Sequence, residues 1–333
     1  MGERLEQLTC WVGDRLGRRD FEIAPASADA SFRRYFRVRH GGDSLIVMDA
    51  PPAREDCRPY IAVARALFDL GLNVPEVLEA DLEQGFLLLS DLGSRMYLSE
   101  LNEETAERLY GDALGALLTL QACGPADETA LPPYDRALLR REMELFREWY
   151  LGKHLGIALD AQANSLLDRA FEVLENSALE QPRVCVHRDY HSRNLMVTTR
   201  NNPGILDFQD AVVGPVTYDL VSLLRDCYIA WPRAQVEEWA LGYRDLAIQS
   251  GVLREEHEAP FLRWFDLMGV QRHLKATGIF ARLNYRDHKP NYLPDIPRTM
   301  GYVLDVSGRY PELQELHGFL MRVVEPRLRE EGS

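Results

Sequence analysis

At 333 residues the chain is longer than one hydrophobic core usually serves, so two lobes are the default expectation. Its apolar share of 46% and charged share of 27% are ordinary for a globular protein, and no apolar run reaches the roughly eighteen residues of a membrane span. A formal net charge of −14 argues against a protein that works on phosphate backbones, so no nucleic-acid partner is expected.

Residues 1–8 carry acids where a signal peptide has a basic stretch and an apolar centre, which predicts a cytoplasmic protein with no membrane partner. Cys10, Cys57, Cys123, Cys185 and Cys227 are scattered and lack metal-type spacing, which suits free thiols in a reducing compartment. Residues 3–16 place Leu5, Leu8, Trp11, Val12 and Leu16 at helical spacing. Residues 31–39 and 44–48 then read as two strands joined by a turn at His40-Gly41-Gly42-Asp43. A helix is predicted over 59–70, stopped by Gly71, and strands over 77–80 and 85–89. From residue 102 the pattern is mainly helical, over 103–121, 134–151 and 161–179 and again after 217, with a compact interruption at 182–213. The fold class is α+β: a β-rich N-terminal lobe, residues 1–92, and a mostly helical C-terminal lobe, residues 93–333.

The interruption carries the chemistry. An apolar strand, Val184-Cys185-Val186, delivers His187-Arg188-Asp189; four residues later Asn194 opens a short strand; a polar turn and a returning strand over 205–209 bring Asp207-Phe208-Gln209. That spacing predicts a hairpin with Asn194 beside Asp207. Phosphoryl transfer needs a group to take the acceptor's proton and oxygen ligands for Mg²⁺. Asp189 is the candidate base, Asn194 and Asp207 the candidate metal ligands, and His191 a candidate contact to the transferring phosphoryl group. The signature H-R-D-x-x-x-x-N of protein kinases is present in full, whereas D-F-G becomes Asp-Phe-Gln.

On these residues the chain resembles the aminoglycoside/choline-kinase-like phosphotransferases, a branch with a two-lobed protein-kinase-like fold. The resemblance runs from about Ser27 to beyond Leu304 and implies ATP and Mg²⁺ as cofactors and a small alcohol as acceptor. It also implies that Asp219 is a buried carboxylate steadying the catalytic loop, although its position equally suits a helix cap. Four stretches, Ser27 to Tyr35, Ile46 to Pro52, Leu206 to Ala211 and Val270 to Lys275, resemble a subgroup that phosphorylates the anomeric hydroxyl of cell-wall sugars. A small sugar is therefore the expected partner, with no obligate protein partner evident. Aminoglycoside- or choline-like acceptors suit the acidic composition and remain an alternative, as does a nucleotide-binding pseudokinase.

The third strand ends Ile46-Val47-Met48-Asp49, without the lysine that kinases use to hold phosphates. Arg33, Arg34 and Arg37 are the candidates to replace it, or else an exposed strand face. Small residues from Ser27 to Ser31 could cradle phosphates through backbone N–H groups or simply turn between strands. Ser90 and Leu92 stand where a hinge would meet adenine, and where a strand would merely end. Arg272 and Lys275 share a helix face that either contacts the acceptor or is solvated; Asp210 is a further acceptor candidate or a turn cap.

Overall fold

The computed structural model describes residues 2–27, 33–126 and 129–331. In chain order it begins with α1 (Gly2–Leu16), β1 (Glu22–Ser27), β2 (Arg34–His40), β3 (Asp43–Asp49), α2 (Cys57–Asp69), β4 (Val77–Asp81), β5 (Phe86–Ser90), α3 (Tyr97–Glu100) and α4 (Ala106–Cys123). There follow α5 (Arg136–Leu145), which runs on as a π-helical stretch (Phe146–His154), α6 (Ala161–Leu179), β6 (Arg183–Val186), β7 (Leu195–Met196), β8 (Gly204–Ile205) and β9 (Val212–Pro215). The remainder is helical: α7 (Tyr218–Leu224), α8 (Arg233–Gln249), α9 (Phe261–Asp287), α10 (Ile296–Ser307), α11 (Gln314–Val323) and α12 (Glu325–Glu331).

These elements form two compact units, Met1–Ala116 with Arg193–Asp210, and Leu117–Ser192 with Ala211–Ser333. They are drawn differently from the lobes expected at 1–92 and 93–333, because the boundary falls within α4 and the segment Arg193–Asp210 belongs with the first unit.

The first unit is built on an antiparallel sheet of order β1-β2-β3-β5-β4. Strand alternation turns Phe36 and Val38 inward, where with Val47, Phe86 and Leu88 they meet Leu8, Trp11 and Val12 of α1. Gly41 and Gly42 both have positive φ, 56° and 98°, the backbone that a two-residue hairpin needs to match strand twist. Sequence periodicity did not single out β1, whose Glu-Ile-Ala-Pro-Ala-Ser run alternates weakly. It lies at the sheet edge, where Pro25 costs no essential ladder bond.

In the second unit, α5, α6, α9, α10 and α11 bury a shared core that includes Met143, Phe171, Leu267, Met300 and Leu316. Helix α6 has the bounds expected from sequence, with Asp160 capping its start by accepting the Ala163 N–H at 2.7 Å. Gly278 brings α9 against the end of α5: a Cβ there would lie 2.3 Å from the Leu145 carbonyl carbon. Two corrections concern the interruption. The returning strand expected over 205–209 stops at Ile205, because Asp207 has the left-handed φ of 65° that a strand cannot contain. The second partner is β9, which pairs antiparallel with β6 from Arg183↔Pro215 to Val186↔Val212 and was not foreseen.

Candidate active site

Between Ser192 and Arg193 the chain passes from the second compact unit to the first, so the loop bearing Asp189 and the hairpin bearing Asn194 and Asp207 are each built within their own unit.

In the second unit, buried Val184, Cys185 and Val186 on β6 lead directly into the loop. Its backbone is held by two buried carboxylates. Asp219 of α7 accepts the His187 N–H at 2.6 Å and the Arg188 N–H at 2.9 Å. Asp226 accepts the Ser192 N–H at 2.9 Å and the Tyr228 N–H at 3.0 Å. Arg188 has φ 77°, an uncommon backbone for a non-glycine residue, held on both sides by these bonds. Between the anchors, the Asp189 N–H donates to His187 Nδ1 at 3.3 Å and the His191 N–H to the Asp189 carbonyl at 3.1 Å. Asp219 therefore steadies the loop; the residue at the cap position of α7 is Thr217, whose side chain makes no capping bond. Burial pushes the Asp219 carboxyl up to about 7, against the pull of its two N–H donors.

Arg188 and Lys275 converge on Glu142 of α5, at 2.5 Å and 3.1 Å from its Oε1. Lys275 Nζ also donates to the Tyr218 hydroxyl at 2.8 Å, and the Tyr134 hydroxyl donates to Glu142 Oε2. Burial pushes the Glu142 carboxyl up, but Lys275 and Arg188 outweigh it and hold the group below the usual carboxylate range. Asp189 is likewise held below that range: burial opposes ionisation, and Lys275, then His191, Arg188 and His187, overcome it. The base candidate is thus an ionised, proton-accepting carboxylate at neutral pH.

In the first unit, β7 and β8 pair through Leu195↔Ile205 and Met196↔Gly204, and the Leu206 N–H closes the hairpin on the Asn194 carbonyl at 2.9 Å. This puts Asn194 Nδ2 3.4 Å from Asp207 Oδ2, as the spacing predicted. Phe208 is buried with its ring 5.0 Å from that of Tyr60 on α2. Gln209, which stands in place of glycine, donates its amide to Asp207 Oδ1 at 2.6 Å and so fixes the carboxylate from its own turn. An amide and a carboxylate side by side offer hard oxygen donors in the number that Mg²⁺ takes from protein when phosphates complete its shell.

The candidate nucleotide arginines are already engaged. Arg33 pairs with Glu55 at 3.1 Å. Arg34 and Arg4 clasp Asp49, the buried end of β3, with Arg4 Nε at 2.8 Å. Arg37 reaches Asp91 at 2.6 Å and the Gly93 carbonyl at 2.7 Å. The Ser90 N–H donates to the Glu76 carbonyl and its hydroxyl accepts the Glu76 N–H, while Leu92 is half-buried. Ser27 is described only through the backbone that ends β1, and Ser31 lies outside the described residues.

Among the acceptor candidates, Asp210 is exposed, while Arg272 and Lys275 are only 6% and 8% exposed, so the solvated-face reading of α9 is wrong. Helix α9 is a central element of its unit rather than a surface one. Sequence reasoning missed Glu142 and Asp226. Glu142 carries no motif, and Asp226 follows Arg225 with nothing to set it apart from a helix end.

A protein-kinase-type loop with its buried anchors in one unit, and a hairpin pairing Asn with Asp beside a five-stranded antiparallel sheet in the other, are the parts expected of a phosphotransferase. The model of the phosphotransferase enzyme family matches residues 22–258, and the chain belongs to that family. It is 50% identical to the N-acetylmuramate/N-acetylglucosamine kinase of Pseudomonas putida over 94% of both chains. It is 44% identical to the kinase of the same name from Neisseria meningitidis serogroup B, over 97% of this chain and 96% of that one. Among solved structures, a choline kinase of Streptococcus pneumoniae aligns with a TM-score of 0.60 at 11% identity, covering 91% of this chain and all of its own. An ADP-bound aminoglycoside phosphotransferase aligns with a TM-score of 0.60 at 14% identity, over 90% and 98%. The fold is the two-lobed, protein-kinase-like one that these enzymes share. Among the described residues no helix is long and apolar enough to cross a membrane.

Proposed function

We propose that this phosphotransferase moves the γ-phosphoryl group of ATP to the anomeric hydroxyl of N-acetylmuramate and N-acetylglucosamine, in the recycling of cell-wall sugars. The observation that carries the reading is the 44–50% identity, over 94–97% of this chain, with kinases of that name, joined to a loop whose Asp189 is held ionised. In the reaction the acceptor oxygen bonds to the γ-phosphorus, the bond to the leaving ADP oxygen breaks, and the hydroxyl proton passes to the Asp189 carboxylate. A hemiacetal hydroxyl is more acidic than an ordinary alcohol, which eases that transfer. His191, whose backbone is tied to that of Asp189, is proposed to contact the transferring group.

Asn194 and Asp207 would hold Mg²⁺, which when bound neutralises charge on the phosphates. Residues 1–92 are proposed as the nucleotide-binding lobe, with the backbone from Ser27 to Ser31, Arg33, Arg34, Arg37, Ser90 and Leu92 on the nucleotide side. Each of the three arginines already has a carboxylate, so its contribution to phosphate binding would be shared with that partner. Residues 93–333 are proposed as the catalytic and acceptor lobe, with Arg272 and Lys275 on the acceptor side and Asp210 following the metal hairpin. The five cysteines are all free, which fits a cytoplasmic enzyme drawing on the ATP there.

ADP release should be stimulated by N-acetylmuramate and N-acetylglucosamine above glucose, kanamycin or choline, and phosphorus NMR should show a sugar 1-phosphate. A 6-phosphate, or turnover of choline or kanamycin alone, would replace the acceptor assignment.

A further inference from the structure

Two cations three residues apart on α9 have opposite surroundings. Lys275 is enclosed by Glu142 at 3.1 Å and the Tyr218 hydroxyl at 2.8 Å, in a network that Glu142 also shares with Arg188, Tyr134 and Gln271. Arg272 is as deeply buried, yet among the described residues its hydrogen bond is to the Cys227 sulfur at 3.6 Å, a weak acceptor. The carboxylate nearest in sequence to that sulfur, Asp226, has its two oxygens bonded to the N–H groups of Ser192 and Tyr228. Buried arginines are almost always paired, because a guanidinium removed from water without an anion is unfavourable. Burial opposes the Arg272 charge, and Cys227, Tyr218, Asp226 and then Asp189 offset it through space.

We propose that Arg272 is the receptor for a carboxylate carried by the acceptor sugar, whereas Lys275 is part of the scaffold and reads no substrate charge. The proposal rests on the kinase reading above and divides its substrates. N-acetylmuramate is N-acetylglucosamine with a lactyl ether ending in a carboxylate, and a planar guanidinium can hold that group by donating two parallel hydrogen bonds to it. The residue then separates the two sugars by binding rather than by chemistry. N-acetylglucosamine leaves the guanidinium as it stands, and N-acetylmuramate supplies the missing anion.

The test compares Arg272→Met and Lys275→Met by kcat/KM for both sugars and by calorimetric titration of each sugar without ATP. Arg272→Met should lower kcat/KM for N-acetylmuramate about ten- to hundredfold, chiefly through KM, and lower that for N-acetylglucosamine far less. Arg272→Lys, which keeps the charge but not the fork, should fall between and serves as the test if the methionine variant does not fold. Lys275→Met should affect both sugars alike. Equal losses for both sugars in Arg272→Met, or a loss confined to N-acetylmuramate in Lys275→Met, would overturn the division of roles. Calorimetry separates this inference from the kinase reading. If neither sugar is turned over, the kinase assignment fails, yet tighter N-acetylmuramate binding lost in Arg272→Met would still uphold the receptor. If N-acetylglucosamine is turned over and N-acetylmuramate binds no better than it, the receptor fails alone.

Discussion

The loop from His187 to Ser192 and the hairpin from Asn194 to Asp207 are adjacent in sequence and are stabilised in different ways. The loop is held at its entry and exit from afar: the His187, Arg188 and Ser192 N–H groups are taken by Asp219 and Asp226, more than thirty residues away. The hairpin closes on itself through a two-residue ladder, the Leu206–Asn194 closure and the Gln209–Asp207 bond, and is anchored to its unit where the Val197 and Ile205 N–H groups donate to the Arg95 and Asn73 carbonyls, both at 2.7 Å. A base must be placed to a fraction of an ångström, and a loop anchored on two buried carboxylates achieves that through tertiary contacts. A metal site that phosphates complete would ask less of the protein, and a short hairpin with a few anchors would serve.

The sharpest way to break the comparison is at its chemical centre. Asp189→Asn should cut turnover by about 10²–10⁴-fold with ATP affinity little changed, since the base contacts the acceptor. Retention of more than a tenth of the rate would remove Asp189 from the reaction. The same carboxylate sets a pH dependence. Because Lys275 and its neighbours hold it below the usual range, its ionised form and the stability it contributes are present above its unfolded value and lost as pH falls through the lowered one. The acid limb of the rate profile should therefore lie below the ordinary carboxylate range.

On the hairpin, Asp207→Ala should abolish Mg²⁺-dependent nucleotide binding, followed by titration calorimetry, while Asn194→Ala should only raise the Mg²⁺ needed. A carboxylate neutralises a hard cation where an amide cannot. An unchanged Mg²⁺ titration in both variants would place the metal elsewhere.

The smallest expected effect sharpens the contrast. Asp226→Asn keeps an acceptor for the Ser192 N–H but removes its charge, so kcat should fall about fivefold to tenfold while the Mg²⁺ titration stays in place. A shifted Mg²⁺ titration in Asp226→Asn would show that loop and hairpin are not independently built.

What was legible in the sequence follows the same divide. The hairpin could be read because its ladder partners lie within sixteen residues and its turn is marked by polar residues, Thr198 to Gly204. Only its end was misjudged: Ile205-Leu206-Asp207-Phe208-Gln209 reads as a strand, and the left-handed φ of Asp207 that ends it carries no composition signal. The amphipathic spacing of α1, the glycine turn between β2 and β3 and the bounds of α6 were equally readable, since local periodicity and turn chemistry decide them.

The sequence by itself determined the family and the order of a β-rich then a helical region, and singled out Asp189, Asn194 and Asp207 as candidates, because motif spacing and periodicity are properties of neighbouring residues. Only the tertiary structure decided which charges are available. Arg33, Arg34 and Arg37 look like free cations in the sequence and are paired with Glu55, Asp49 and Asp91. Arg272 and Lys275 look like a solvated face and are buried, one clamped by Glu142 and the other facing a sulfur. The physical reason is that burial and ion pairing depend on side chains brought together from fifteen to more than a hundred residues away, and no local pattern encodes those distances.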